Sequence, residues 1–234
     1  GLPLVNAPGR NAEAVADLTL AFVVMLARGL PRAQRFLEEG GRPLDNWQGA
    51  RFIGSELRDH VLGLVGYGHV GRRVAPRALA FGMRVLVHDP YVRVDGCEQV
   101  ATLGELLERA DVVSLHARAT PENENLIDAG AFAAMKPGAF LVNTARETLV
   151  DEDALDAALA SGRLAGAALD VVRPAHVDGR HRLLRHENVV LTPHLGGATR
   201  ETLQRGAEMI AAELLRFAAG EPLVNVVNRT AVAA

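Results

Sequence analysis

The sequence predicts an α/β fold, a doubly wound parallel sheet with helices on both faces. Three observations point to it. From residue 61 onward, six short apolar segments alternate with amphipathic or alanine-rich stretches. These segments are apolar at consecutive positions rather than at every second one, as strands buried on both faces require. A Gly66-x-Gly68-x-x-Gly71 spacing stands where the first segment turns into the stretch after it.

The elements follow in order. "GLPLVNAPGR" reads as a strand and a Pro8-Gly9 turn. Asn11 is expected to cap a helix running to about Arg28, with Glu13 in its first turn. Val15, Leu18, Phe22, Val23, Met25 and Leu26 surround that helix, so it needs burial on several sides, either against a second copy or within the chain. A short helix follows Pro31 and ends near Gly40-Gly41. "GRPLDNWQG" reads as a loop. Strands are expected at 61–66, 84–88, 111–115, 139–143, 165–170 and 188–192. Helices start near Val70, Thr102, Asp128 and Asp151, and Thr102 with Glu105 forms a capping-box pattern. Pro76 interrupts the first of these at a cost of about 3 kcal/mol if uncompensated, and a kink is expected there. The interval "LDVVRPAHVDGRHRLL" lacks a helical pattern. Its crowd of Arg173, His176, Asp178, Arg180, His181 and Arg182 reads as a solvated loop rather than a patch that attracts anions. A last helix spans about Thr199 to Ala219, stopped by Gly220 and Pro222. The tail "EPLVNVVNR" is apolar enough to dock.

Composition narrows the classes. Hydrophobic residues make up 49% and charged residues 23%, as in soluble globular proteins. The net charge of −3 provides no basic field for nucleic acid. The longest apolar run, 18–27, is broken by Thr19 and has about half the ~20 residues a bilayer span needs, so no membrane association is expected. No signal-peptide pattern opens the chain. The chain starts without Met on what reads as a strand, so a missing upstream segment is expected. Cys97, the lone cysteine, excludes an internal disulfide and fits a reducing compartment, the cytoplasm. No metal site is expected.

The glycine spacing alone is weak in a chain of 23 glycines, but its context is not. A strand precedes it, a helix follows, and the next strand ends in Asp89, 18 residues after Gly71. Gly66 permits the tight turn, Gly68 lets backbone approach a pyrophosphate, and Gly71 lets helix and strand pack closely. The helix N-terminus offers unpaired N–H groups to the phosphates. Asp89 can accept hydrogen bonds from ribose hydroxyls and would repel a 2′-phosphate, which favours NAD over NADP. The plain alternative is a tight turn with no ligand and Asp89 as an ordinary strand-end residue.

Four blocks, "NAPGRNAEAVADLTLAFVVMLAR", "LGLVGYGHVGRRVA", "LVNTARETLVDEDAL" and "VVLTPHLGGAT", make the chain resemble the D-isomer-specific 2-hydroxyacid dehydrogenases, the family that includes phosphoglycerate dehydrogenase. The resemblance covers nearly the whole chain. It implies a Rossmann-type NAD-binding domain over residues 9–197, with a leading interdomain helix, and the remnant of a smaller substrate domain in 1–8 and 198–234. It also implies hydride transfer between nicotinamide and a small anionic 2-oxo or 2-hydroxy acid, and a homodimer.

On the same resemblance, Arg146 grips the substrate carboxylate and polarises its carbonyl, a task suited to the guanidinium fork. His194 is the general acid–base, a task suited to an imidazole. The plain readings are a surface salt bridge for Arg146 and a structural histidine for His194. The glutamate that usually partners this histidine is replaced by Ala175, which can neither orient an imidazole nor stabilise an imidazolium. Asp178 and Glu187 are the candidate carboxylates to substitute for it. Tyr67, His69 and Val70 would offer backbone to the pyrophosphate. His116 and Thr120 flank the loop after the third strand, with Arg118 where the family often has proline. Thr144 and Ala145 border the nicotinamide, and Asp170 bonds the carboxamide or merely caps its strand. Gly196 and Gly197 complete the cofactor set. Glu147 replaces the glycine usual after the arginine. The departures at Ala175 and in the first segment support a second reading, a catalytically impaired NAD(H)-binding or redox-sensing protein of the same fold.

Overall fold

The computed structural model describes residues 2–42, 52–173 and 181–228. The elements are α1 (Ala12–Ala27), α2 (Leu30–Glu38), β1 (Val61–Val65), α3 (Gly71–Ala80), β2 (Arg84–His88), β3 (Glu98–Gln99), α4 (Leu103–Arg109), β4 (Val112–Leu115), α5 (Ala129–Ala134), β5 (Ala139–Asn143), α6 (Glu152–Ala160), β6 (Leu164–Leu169), β7 (Val189–Leu191) and α7 (Arg200–Ala218). The strands form one sheet in the order β3-β2-β1-β4-β5-β6-β7, and every pairing is parallel. Chain order reverses between β1 and β4, the point at which open α/β sheets bind ligands beyond their carboxyl ends.

Period-two alternation divides the strands between two cores. Val61 and Val65 of β1, Val113 of β4 and Leu141 of β5 pack with Leu106, Phe132, Met135 and Leu155 from α4, α5 and α6. Leu62 and Leu64 of β1, Val112 and Val142 face the other way, onto Phe22, Val23 and Leu26 of α1 and Val74 and Ala78 of α3. All five β1 residues are buried, which is why that segment reads as a continuous apolar run. Burying side chains such as Phe22 and Leu26, each 1% exposed, contributes about 1.5–3 kcal/mol apiece.

Asn11 precedes α1 as expected, but its side chain makes no capping hydrogen bond. It lies instead beside the backbone of Gly197. Thr102 accepts from Glu105 N–H at 3.1 Å, while the Glu105 carboxylate reaches back to Ala101 N–H rather than to Thr102. Asp128 and Asp151 cap α5 and α6 with their side chains. α3 runs on through Pro76. That residue lies on the exposed face, where water can meet the Arg72 carbonyl its ring leaves unpaired.

β3 was not legible in the sequence. It is two polar residues long, paired with Leu86 and Val87 and braced by the Gln99 side chain on the carbonyls of Asp89 and Val92. The charged interval before β7 also differs from a solvated loop in its described part. Arg182–Arg185 form a 3₁₀ turn with Leu183 fully buried. Arg182 pairs with Asp153, while Arg185 and His186 both pair with Asp156. Glu152 of α6 accepts from Arg173 N–H at 2.7 Å and stands 3.4 Å from His181. These carboxylates dock the segment onto α6. Ala175, His176, Asp178 and Arg180 lie outside the described residues, as does most of "GRPLDNWQG".

The two ends of the chain meet. Val5 and Val226 form an antiparallel bridge, flanked by Asn6 N–H on Asn225 C=O and Val227 N–H on Leu4 C=O. The ribbon docks on α7 through the buried Glu213, which accepts from Val224 N–H, Asn225 N–H and the Asn225 amide. Among the described residues no single helix is long and apolar enough to cross a membrane. α1 and α2 pass that test only as a pair bent by 67°, and α1 is largely core.

Candidate cofactor and active site

The glycine turn is built as its spacing predicts. Gly66 sits at φ 98°, a left-handed conformation that side chains resist. A Cβ at Gly71 would lie 2.4 Å from the Gly66 carbonyl oxygen, so only glycine lets α3 start this close to β1. At Gly68 a Cβ would meet nothing within 4 Å: the space above it is open. The N–H groups of Gly68, His69 and Val70 donate to no protein acceptor among the described residues, and they stand at the N-terminus of α3, where anions are favoured. This cradle fits a pyrophosphate.

Asp89 follows β2 and turns back over the loop. Its carboxylate accepts from Tyr67 N–H at 2.7 Å and from Tyr91 N–H at 2.9 Å, so it clamps the turn as well as facing the pocket. That pocket has a volume of about 570 Å³ and is lined by Gly66, Gly68, Asp89, His116, Arg118 and Thr120, among others. Tyr67 lies beneath the turn, 7% exposed, with the Arg72 guanidinium 5.2 Å from its ring centroid. His116 Nε2 is 2.9 Å from Ser114 Oγ. Desolvation pushes the His116 imidazole down to about 3, so it meets a ligand as a neutral ring.

The second cluster lies beyond the carboxyl ends of β5, β6 and β7, three neighbouring strands. Asn143 closes β5. Its Oδ1 accepts from Ala145 N–H at 3.0 Å and its Nδ2 donates to the Arg146 carbonyl at 2.9 Å, shaping the turn that carries Thr144, Ala145 and Arg146. Arg146 is exposed. Its Nη1 donates to the Ala145 carbonyl at 2.6 Å, and no ion pair engages it among the described residues. Thr144 Oγ1 lies 3.1 Å from Thr19 Oγ1 of α1.

Asp170 follows β6 and is 2% exposed. Its Oδ1 accepts from Thr192 Oγ1 at 2.6 Å and Leu195 N–H at 2.8 Å, and its Oδ2 from Gly196 N–H at 2.7 Å. Asp170 thus grips the turn on both sides of His194. Gly196 permits that approach, since a Cβ there would lie 2.8 Å from Asp170 Oδ2. His194 itself is exposed and held at φ 57°, a conformation uncommon for a non-glycine residue that concentrates at functional sites. No carboxylate is hydrogen-bonded to His194 among the described residues. Glu187 precedes β7 and His194 follows it, so the strand holds the two at opposite ends of the sheet. Asn143 and Thr19 escaped the sequence reading. A buried asparagine at the end of an apolar strand is a usable signal, whereas Thr19 gives none until α1 is docked.

Comparison with known proteins bears on this geometry. Residues 20–196 match the model of the "D-isomer specific 2-hydroxyacid dehydrogenase, NAD binding domain" family. The chain is 38% identical to a D-3-phosphoglycerate dehydrogenase of Archaeoglobus fulgidus over 97% of its length and 43% of that relative. It is 40% identical to a glyoxylate reductase of Korarchaeum cryptofilum, over 99% of this chain and 71% of that protein. It thus spans less than half the length of the archaeal phosphoglycerate dehydrogenase. Among solved structures, the TT0316 protein of Thermus thermophilus superposes with a TM-score of 0.87 at 42% identity, covering 97% of this chain and 72% of that one. A D-lactate dehydrogenase with NAD+ from Lactobacillus jensenii superposes at 0.86 and 29% identity, with the same coverage. NAD is the cofactor of the matched domain. The chain therefore belongs to the D-isomer-specific 2-hydroxyacid dehydrogenase family, matched through that family's NAD-binding domain.

Proposed function

We propose that the protein is an NAD-dependent 2-hydroxyacid dehydrogenase, moving a hydride between nicotinamide and C2 of a small anionic D-2-hydroxy or 2-oxo acid. The observation that carries this reading is the adjacency of three strand ends. β5, β6 and β7 lie side by side and lead into a guanidinium with no ion pair among the described residues, a buried carboxylate and an imidazole on a left-handed backbone, at the same sheet edge as the phosphate cradle that follows β1 two strands away. Bound NADH or NAD supplies or takes up the hydride.

In this reading Arg146 holds the substrate carboxylate and draws electron density from the carbonyl, as a permanently charged planar fork can. His194 gives a proton to the substrate oxygen as reduction proceeds and takes it back in oxidation. Asp170 fixes the turn that aims His194. Gly66, Tyr67, Gly68, His69, Val70 and Gly71 bind the pyrophosphate. Asp89 takes the ribose hydroxyls and favours NAD over NADP. His116, Thr120, Thr144, Ala145, Gly196 and Gly197 border the adenosine and nicotinamide ends. Residues 9–197 form the cofactor domain, and 1–8 with 198–234 belong to a substrate domain. The pairing of the two chain ends supports that division. A homodimer would cover the apolar groove of Leu20, Ala21, Val24, Met25 and Phe81, and the lone Cys97 suits a cytoplasmic setting.

The test is NADH oxidation with a panel of 2-oxo acids. Turnover of at least one acid is expected. His194→Gln should lower kcat by about 10²–10⁴-fold with NADH binding retained, and Arg146→Lys should chiefly raise KM for the acid. The second reading, an NAD(H)-binding protein with impaired catalysis, is favoured by the lack of a carboxylate on His194 among the described residues. NADH binding with no acid turned over would select it.

A further inference from the structure

Thr19 is fully buried in the middle of α1. Its Oγ1 lies 2.8 Å from the Val15 carbonyl oxygen and 3.1 Å from Thr144 Oγ1. A hydroxyl has one proton, and a carbonyl oxygen can only accept. The Thr19 proton is therefore committed to Val15, and Thr144 must donate the proton between the two hydroxyls. What Thr144 Oγ1 has left to offer is a lone pair. Asp170, the buried acceptor at the neighbouring strand end, already receives three hydrogen bonds of the roughly four a carboxylate accepts.

Thr144 directly follows β5 and precedes Arg146 by two residues, where the nicotinamide must lie to reach a substrate held by that arginine. A nicotinamide carboxamide carries one acceptor and one NH₂ donor. We propose that Thr19 is a positioning residue that makes Thr144 a fixed hydrogen-bond acceptor for that NH₂ group. It would act without touching the cofactor, by deciding which way the Thr144 proton points. This rests on the nicotinamide placement proposed above.

The test compares binding of NADH with that of reduced 3-acetylpyridine adenine dinucleotide, in which a methyl replaces the NH₂, by isothermal titration calorimetry. The protein should prefer NADH by roughly two- to tenfold, the worth of one neutral hydrogen bond. Thr19→Val keeps the shape of the side chain but removes the acceptor, so Thr144 turns its own proton outward and the preference should fall to about one. Thr19→Ser should restore it, which a merely structural role for Thr19 does not predict. Thr144→Val should abolish the preference with Thr19 intact. A preference retained in either valine variant overturns the proposal. If Thr19→Val does not fold, Thr19→Ala and Thr144→Val carry the same decision. Failure of the unmodified protein to bind either dinucleotide would instead sink the cofactor reading beneath it.

Discussion

Replacing Asp170 tests the link between stability and the His194 turn. Its carboxylate is 2% exposed and accepts hydrogen bonds of 2.6, 2.8 and 2.7 Å from Thr192 Oγ1, Leu195 N–H and Gly196 N–H. In Asp170→Asn, Oδ1 can keep its two donors, but an NH₂ group then faces the Gly196 N–H, donor against donor. One hydrogen bond to a charged group is lost, worth about 1.5–3 kcal/mol. In Asp170→Ala all three are lost. Water can reach the partly exposed Thr192 hydroxyl, yet the buried Gly196 N–H is stranded, so the cost rises to about 3–5 kcal/mol. Urea unfolding reads both values. The same carboxylate holds His194 at φ 57°. His194→Gly should then stabilise the parent protein by about 1 kcal/mol by relieving that strain. In the Asp170→Ala background, where the turn is free to relax, the gain should vanish, a coupling that a double-mutant cycle isolates. An Asp170→Ala cost below about 1 kcal/mol, or an undiminished glycine gain in that background, would refute this account of the turn.

Gly71→Ala should destabilise the fold by about 1–3 kcal/mol through overpacking, because its methyl would sit 2.4 Å from the Gly66 carbonyl. Gly68→Ala should leave the melting temperature nearly unchanged but weaken NADH binding, since its methyl enters open space over the phosphate cradle. The opposite pattern in calorimetry and melting would contradict the cradle. Burial alone would raise the Glu213 carboxyl, but hydrogen bonds from Val224 N–H, Asn225 N–H and the Asn225 amide outweigh it and hold the group below its ordinary range. The stabilisation of the ribbon is therefore complete above the unfolded carboxyl's pKa and is lost as pH falls through the lowered folded value. Amide exchange at Asn225 should accelerate in that window, and Glu213→Gln should flatten the dependence. Arg118→Ala should weaken NADH binding and reduce its salt dependence, as expected for a cation on the pocket rim; unchanged binding would assign Arg118 to the surface alone.

The sheet was legible because its strands are buried on both faces and so announce themselves as unbroken apolar runs. β3 was not, because its pairing draws on backbone and on the Gln99 side chain rather than on any apolar pattern. The glycine turn and Asp89 could be placed from spacing, since chain geometry brings a strand end and the next strand end together. The clamp from Asp89 to Tyr67 N–H could not, because it depends on which rotamer packing selects. Arg146 and His194 stood out through their strand-end positions, whereas Asn143 and Thr19, which shape the turn and set a proton, are ordinary polar residues until the fold brings α1 onto β5. The charged stretch before β7 misled for a similar reason. His181 and Arg182 read as solvated until α6 supplies Glu152 and Asp153, more than twenty residues earlier in the chain.

The meeting of the two chain ends bears on the order in which the molecule assembles. Leu4 and Asn228, joined by a hydrogen bond, are 224 residues apart in sequence. Closing so long a loop in an unstructured chain would cost about 5 kcal/mol of entropy, far more than a one-bridge ribbon returns. Once the sheet has formed, the intervening residues no longer count as a flexible loop, and only the short stretches from residue 6 to α1 and from α7 to residue 224 remain to be ordered. The ribbon is therefore a late contact, formed on the finished sheet and the first to open. Protection of the Asn6 and Val227 amides would then report completion of the whole doubly wound core rather than local stability.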